Sequence, residues 1–191
     1  FEKRGNRIAS VRTSEGVFTA DEFILSGGAW SSNLAKKLGL SIPLQAGKGY
    51  SVTLTEPKQL PRICSILTEA RVAVTPMGNS LRFGGTMEIS GLNPEISQRR
   101  VDGIIRSVSK YYPRFSAADF EGIQPWHGLR PCSPDGLPYL GRPKAISNLV
   151  VATGHSMMGL SLAPITGHLV AQIVQQVQPD IAIELLSPDR K

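Results

Sequence analysis

Residues Leu149–Thr153 narrow the possible folds of this chain more than any other stretch. Leu-Val-Val-Ala-Thr is short, apolar and β-branched, and reads as a strand buried on both faces, as in parallel sheets. The run stops at Gly154. Residues Gly154 to Gly159 then turn into a helix predicted from about Leu160 to Val177, with Pro164 in its first turn, where the missing amide does no harm. The same grammar occurs far upstream. Glu22 to Ser26 form an apolar run that halts at Gly27-Gly28. A helix follows, with Ser31 or Ser32 as N-cap and Gly39 at its end. Two strand–glycine–helix elements so far apart in sequence are expected to pack together as one α/β layer.

Between and before them the pattern is antiparallel. Arg7–Thr13 and Val17–Leu25 read as a hairpin around Ser14-Glu15-Gly16. Strands are predicted over Gly47–Glu56, Ile63–Leu67, Arg71–Thr75 and Ser80–Glu88, with turns at Pro61, Glu69-Ala70 and Gly78-Asn79. Pro94 opens a predicted helix reaching Tyr111 or Tyr112, with Ile96, Val101, Ile104, Ile105 and Val108 as its apolar stripe. Gly122 to Trp126 reads as a further strand. Pro131, Pro134 and Pro138, with Pro143 just beyond, make Gly128 to Arg142 an ordered but irregular loop. The tail after Pro179 is predicted to be loosely held. The organisation is therefore 1–45, 46–127, 128–178 and a tail 179–191, in the class α/β plus α+β.

The composition removes several functions. Among 191 residues the net charge is +6, but Lys and Arg are scattered, with only short pairs such as Lys36-Lys37 and Arg99-Arg100. No basic run is interleaved with aromatics, so nucleic acid is not an expected partner. The positive field suits an anionic substrate or phospholipid headgroups. No 18-residue apolar stretch and no signal peptide is seen. Cys64 and Cys132 lack metal-type spacing and are expected to stay reduced, in a cytoplasmic protein. The chain begins at Phe1 in what reads as mid-domain, which points to an excised fragment.

Three segments carry chemistry. Ser26-Gly27-Gly28-Ala29-Trp30 ends a strand with adjacent glycines, which allow a ligand or backbone to come close. Trp126-His127-Gly128-Leu129-Arg130-Pro131, continued by Cys132-Ser133-Pro134-Asp135-Gly136-Leu137-Pro138-Tyr139-Leu140-Gly141, sets a single arginine in a stiff segment. Its fork of donors matches a carboxylate. Asp135-Gly136 is a turn signal, and its carboxylate is expected to be structural. Gly154-His155-Ser156-Met157-Met158-Gly159 presents a helix N-terminus that suits a phosphate or the negative edge of a reduced flavin. No G-x-G-x-x-G, P-loop, H-E-x-x-H or convincing Ser-His-Asp arrangement is present, and no metal site is expected.

Taken in this order, the segments resemble the D-amino-acid oxidase superfamily of FAD-dependent oxidoreductases. The nearest likeness is to the bacterial D-amino-acid dehydrogenases, with glycine and sarcosine oxidases a step further away. The stretches are Ser26–Trp30, Gly47-Lys48-Gly49-Tyr50-Ser51-Val52-Thr53, Gly128–Gly141 and Gly154–Val170, within a likeness running from about Arg7 to Val177. The resemblance implies part of an FAD-binding α/β domain with an inserted antiparallel-sheet substrate domain. It places Gly27, Gly28, Ala29 and Trp30 near FAD, and Lys48, Gly49 and Gly128 beside the flavin ring. Gly154, His155, Ser156, Met157, Met158, Gly159 and Leu160 lie against the isoalloxazine. Arg130 binds the substrate carboxylate, and Tyr50 joins it in the catalytic set. The family's N-terminal G-x-G-x-x-G segment is missing, so the chain as given is expected to purify without flavin. Ser156 stands where relatives frequently have glycine.

The implied reaction is oxidative deamination of a D-amino acid to a 2-oxo acid and ammonia by hydride transfer to flavin, with a quinone or oxygen as acceptor. Peripheral association with the inner face of the plasma membrane goes with the quinone. The competing readings are a glycine, sarcosine or D-proline-type oxidase or demethylase of the same superfamily, and a non-catalytic binding module.

Overall fold

The computed structural model describes residues 1–190. Two compact units divide the chain: Phe1–Ala46 together with the segment from Arg130 onward, and Gly47–Leu129. The first unit opens with β1 (Glu2–Arg4), β2 (Arg7–Thr13) and β3 (Gly16–Phe18), an antiparallel three-stranded sheet. Thr13 pairs with Gly16, so the β2–β3 turn is Ser14-Glu15 alone and Gly16, at φ 132°, starts the return strand. β1 has no counterpart in the sequence reading. The predicted second hairpin strand does not continue to Leu25. It stops at Phe18, and Phe23–Leu25 (β4) joins a different sheet. The reason is that its partner is distant, and periodicity carries no information about which strand an apolar run will meet.

The second unit is built on a five-stranded sheet of β5 (Gln45–Leu54), β6 (Ser65–Leu67), β7 (Val72–Met77), β8 (Ser80–Ile89) and β9 (Trp126–Cys132), in the order β6-β7-β8-β5-β9, of which Gln45–Ala46 and Arg130–Cys132 are counted with the first unit. The paired strands β5–β8, β6–β7 and β7–β8 are antiparallel. Tyr50, Val52, Val72, Val74, Leu81 and Phe83 point to one face and pack on Val101, Ile104 and Val108 of α2 (Gln98–Tyr111). Phe83 is the centre of this core, meeting Tyr112, Phe115 and Phe120 edge-on with centroids 5.7–6.4 Å apart. Gly85 is needed there, since a Cβ would lie 3.2 Å from Ile104, Val72 and the Arg71 carbonyl.

Two expectations fail in this unit for local reasons. The helix begins at Gln98, not Pro94. Asn93 Oδ1 accepts the Glu95 amide at 2.7 Å, offering the backbone a turn in place of a helix, and Ile96 is left exposed outside the stripe. The strand predicted over Gly122–Trp126 instead begins at Trp126 and takes in Cys132, part of the supposed irregular loop. Gly122 at φ 74° and the Ile123 amide bonded to the Phe120 carbonyl make a turn first. Pro131 is tolerated because β9 lies at the sheet edge.

Back in the first unit, β10 (Tyr139–Gly141) runs antiparallel to β11 (Leu149–Thr153), and β11 pairs in parallel with β4 through Leu149↔Phe23, Val150↔Ile24 and Val151↔Leu25. Asn148 joins this sheet to β2. Its Oδ1 accepts the Ile8 amide at 2.8 Å and its Nδ2 donates to the Ile8 carbonyl at 2.9 Å, so a side chain replaces one rung of a ladder. After β4 a 3-10 turn, Gly28–Trp30, enters α1 (Ser31–Lys37). Ser31 is not a cap. Its hydroxyl lies 3.1 Å from that of Thr153, and no side chain caps the helix, which the chain enters through a 3-10 turn with the Trp30 amide donating to the Gly27 carbonyl. Gly39, at φ 78°, ends the helix as predicted.

The last helix, α3, spans Gly159–Val174. Pro164 is its sixth residue and lies beyond the first turn. Leu160, whose carbonyl the missing amide would have met, is 91% exposed, which limits the cost of that lost bond.

The tail is not loose. A 3-10 turn, Glu184–Leu186, leads to Arg190, which forks onto the Asp135 carboxylate at 2.8 and 3.1 Å and stacks on the Tyr139 ring. Composition gave no sign of this, because a single arginine supplies most of the anchoring.

Two outcomes are expected. Asn148→Ala strands two buried backbone groups, at about 1–3 kcal/mol each. The unit should lose roughly 2–6 kcal/mol, measured by urea unfolding through Trp30 fluorescence in a Trp126→Phe background. The second concerns acid. The Arg190 hydrogen bonds hold the Asp135 carboxyl down from 3.8 to about 2. A lowered carboxyl pKa contributes stability above the unfolded value and loses it as pH falls through the folded one. The extra pepsin cleavage at 133–138 caused by Asp135→Asn should therefore be full above pH 3.8 and fade toward pH 2.

Candidate functional site

The parallel pair β4–β11 puts two glycine turns side by side at its carboxyl ends. The Thr153 hydroxyl, next to that of Ser31, also donates to the Gly28 carbonyl at 3.2 Å, which ties the turn Gly27–Trp30 to the turn Gly154–Gly159. Ligands of α/β sheets bind beyond the carboxyl ends of the strands. At Gly28 the φ is 55° and a Cβ would meet open space. Gly154 is different. At φ 86° its missing side chain makes room for Leu44 and Tyr139, each within 3.3 Å of a would-be Cβ, so packing explains this glycine. Ser156 adopts φ 51°, a left-handed conformation that glycine holds with less strain.

This turn is fastened to the proline-rich segment. Cys132 bridges His155, the Ser156 amide donates to the Pro131 carbonyl at 3.0 Å, and Cys132 Sγ lies 3.5 Å from Ser156 Oγ. His155 Nε2 pairs with Thr166 Oγ1 at 3.0 Å, and burial lowers its pKa, which favours a neutral ring. Ala29 is buried behind the first turn, whereas Trp30, Met157 and Met158 are more than half exposed. With Leu160 they give these turns an apolar outer surface.

Arg130 lies in β9, just ahead of the proline-rich turns. Its Nη1 is buried and meets no hydrogen-bond partner among the described residues. A buried unsatisfied guanidinium nitrogen is costly and calls for an acceptor. Gly128 seats Trp126: a Cβ there would fall 2.3 Å from its ring. The Asp135 carboxylate accepts the Leu137 amide and the Arg190 fork, in keeping with a structural role.

Lys48, Gly49 and Tyr50 stand on β5 in the second unit, around a residue that sequence reasoning missed. Glu88 accepts the Tyr50 hydroxyl at 2.5 Å and pairs with Arg100 at 3.1 Å and Lys48 at 3.9 Å. The Tyr50 bond foremost, with Lys48 and Arg100, holds the Glu88 carboxyl below its usual range. Lys48 is only 1% exposed and also donates to the Glu95 carbonyl at 2.7 Å. Beside them the β5–β8 register slips between Lys48 and Tyr50, and Thr86 in the resulting bulge takes φ 59° with its hydroxyl buried and unpartnered among the described residues. The only sequence signal was a carboxylate inside a predicted strand. No cluster of metal-binding side chains occurs among the described residues.

This chain is similar to known proteins over almost all of its length. The profile of the FAD dependent oxidoreductase (DAO) family matches residues 1–173. A D-amino acid dehydrogenase of Bradyrhizobium diazoefficiens is 35% identical over 188 residues, covering 97% of this chain and 44% of the relative. A D-amino-acid oxidase of the same organism is 33% identical, covering 97% of this chain and 44% of its own length. The crystal structure of glycine oxidase from Geobacillus kaustophilus superposes with a TM-score of 0.82 at 28% identity, over 95% of this chain and 49% of that one. The chain thus spans about half the length of the relatives it matches. With the family profile covering both glycine turns, the arginine strand and the five-stranded sheet, this chain belongs to the FAD dependent oxidoreductase (DAO) family.

Proposed function

We propose that the complete protein oxidatively deaminates D-amino acids to 2-oxo acids and ammonia, with Arg130 as the anchor of the substrate carboxylate. The observation that carries this reading is the buried Nη1 of Arg130, a donor with no acceptor among the described residues. A guanidinium held in a strand and followed by proline is a fixed fork, and a carboxylate completes it. Tyr50 and Lys48 are weaker candidates for that task. The Tyr50 hydroxyl donates to Glu88, and the Lys48 ammonium is occupied by Glu95 and Glu88.

Residues 1–45 and 128–178 are assigned to the FAD-binding part and 46–127 to the substrate domain. The turns Gly27–Trp30 and Gly154–Leu160 hold the cofactor, which fits the open space at Gly28 and the exposed apolar side chains Trp30, Met157, Met158 and Leu160. Lys48, Gly49 and Gly128 are proposed as further cofactor contacts. The chemistry that FAD would supply when bound is that of a hydride acceptor for the substrate Cα–H, with a quinone or oxygen as final acceptor; the imino acid left behind would take up water to give the 2-oxo acid and ammonia. The residues of this chain orient the substrate and keep the reacting centre dry; no side chain is assigned a proton-transfer role. A glycine-type amine oxidase is the second reading, favoured by the likeness to glycine oxidase.

Steady-state kinetics of the complete protein test the assignment. Removing one partner of a buried charged pair costs about 2–5 kcal/mol. Arg130→Ala should therefore lower kcat/KM for D-amino acids roughly 30- to several-thousand-fold. Arg130→Lys should restore only part, because an ammonium lacks the fork. Flavin content should stay unchanged in both. Near-normal kcat/KM in Arg130→Ala at full flavin occupancy would remove Arg130 from the site. Dye reduction without peroxide identifies a dehydrogenase, and peroxide with glycine or sarcosine identifies the second reading.

A further inference from the structure

We infer that Arg190 is a positioning residue for Arg130, acting through the proline-rich turns between Cys132 and Gly141; this rests on the role proposed for Arg130. The guanidinium of Arg190 is largely buried and uses all three of its nitrogens. Nε and Nη2 fork onto Asp135 at 2.8 and 3.1 Å, Nη2 donates to the Leu137 carbonyl at 2.6 Å, and Nη1 reaches the Pro138 carbonyl at 3.1 Å. Nη1 also meets the carbonyls of Leu186 and Ser187, which fixes the tail's own conformation around the head group. The guanidinium carbon sits 3.6 Å over the Tyr139 ring. Such a set suits a planar, five-donor group and no other side chain.

Neighbouring tail residues extend the clasp. The Asp189 carboxylate accepts the Lys144 amide at 3.0 Å, and Pro188 lies against Gly141, 3.3 Å from a would-be Cβ. The proline-rich segment is therefore pinned at both ends. At its start, Pro131 and Cys132 are bonded to Ser156 and His155. At its far end it is held by the pairing of β10 with β11, and between these points the tail holds Asp135, Leu137 and Pro138. Apart from the tail, the turn keeps only short internal bonds, Gly136 to Ser133 and Leu137 to Asp135. Tyr139 links the clasp to the site directly, because the ring under Arg190 is also the one packed against Gly154. Loosening Arg190 frees the turn that follows Arg130, while Tyr139 itself stays paired with Thr153 in the sheet.

The experiment is a double-mutant cycle on the complete flavoprotein. Misplacement of a binding group by a fraction of an ångström to an ångström costs up to about a hundredfold. Arg190→Ala should lower kcat/KM for a D-amino acid about tenfold, mainly through KM, with flavin content unchanged, and Arg190→Lys should recover little of it. In an Arg130→Ala background the same substitution should have almost no further effect, since it acts through the missing group. A purely structural Arg190 would lower kcat/KM equally in both backgrounds, which overturns the inference. If Arg190→Ala does not fold, Asp135→Asn replaces it, with an expected drop of roughly two- to fivefold that again vanishes without Arg130. A strong effect of Arg130→Ala with none from Arg190→Ala or Asp135→Asn refutes this inference alone. A silent Arg130→Ala refutes both it and the proposed carboxylate anchor.

Discussion

The parallel pairing of Phe23–Leu25 with Leu149–Val151 is the contact on which the first unit depends. The two strands are separated by more than a hundred residues, including the whole of the second unit. Closing such a loop has an entropic cost, but one that grows only with the logarithm of its length. The cost is met by burying Leu25, Leu149, Val150 and Val151, and by the polar links that accompany the pair: Asn148 to Ile8, Ser31 to Thr153 and Thr153 to Gly28. The same hydroxyl contacts that close the sheet also set the two glycine turns next to each other. Folding and the construction of the candidate cofactor surface are one event.

The second unit solves a different problem. An aromatic core around Phe83 and the apolar face of α2 give it an interior of its own. Into the end of that interior it brings Lys48, Tyr50 and Glu88. Buried charges persist only when paired and hydrogen-bonded. Here the carboxylate of Glu88 serves two cations and one hydroxyl, and the Glu95 carbonyl accepts a hydrogen bond from the Lys48 ammonium. A β-branched residue in a left-handed conformation, Thr86, stands at the bulge beside this network. Strain of that kind persists where the surroundings over-determine the backbone, and it concentrates at functional sites.

The segment from Arg130 to Gly141 gives the chain its chemical character. Arg130 has a buried nitrogen with no acceptor among the described residues, followed by turns that the tail clasps from outside. A fork of guanidinium donors and an apolar pair of glycine turns thus occur in one chain. The geometry explains how a small number of side chains keeps them in place.

Much of this was legible in the amino-acid order. Leu149–Thr153 reads as a buried strand because five successive residues offer no polar face, and the structure keeps those bounds. The strands β7 and β8, the end of α1 at Gly39 and the apolar face of α2 follow from period, glycine and turn chemistry, which are local. Arg130 stood out because prolines and glycines isolate it. The start of α2 was missed because Asn93 offered its own side chain to the backbone, a competition that propensity does not rank. Glu88 could not be singled out, since its meaning lies in Lys48, Tyr50 and Arg100 arriving from other elements. Nor could Arg190, whose partners lie some fifty residues upstream. The sequence determined the elements and the candidate arginine, because those depend on neighbours in the chain. Only the tertiary structure decided which strands pair, which glycines serve packing and which charges are held, because burial and long-range contact are properties of the folded chain.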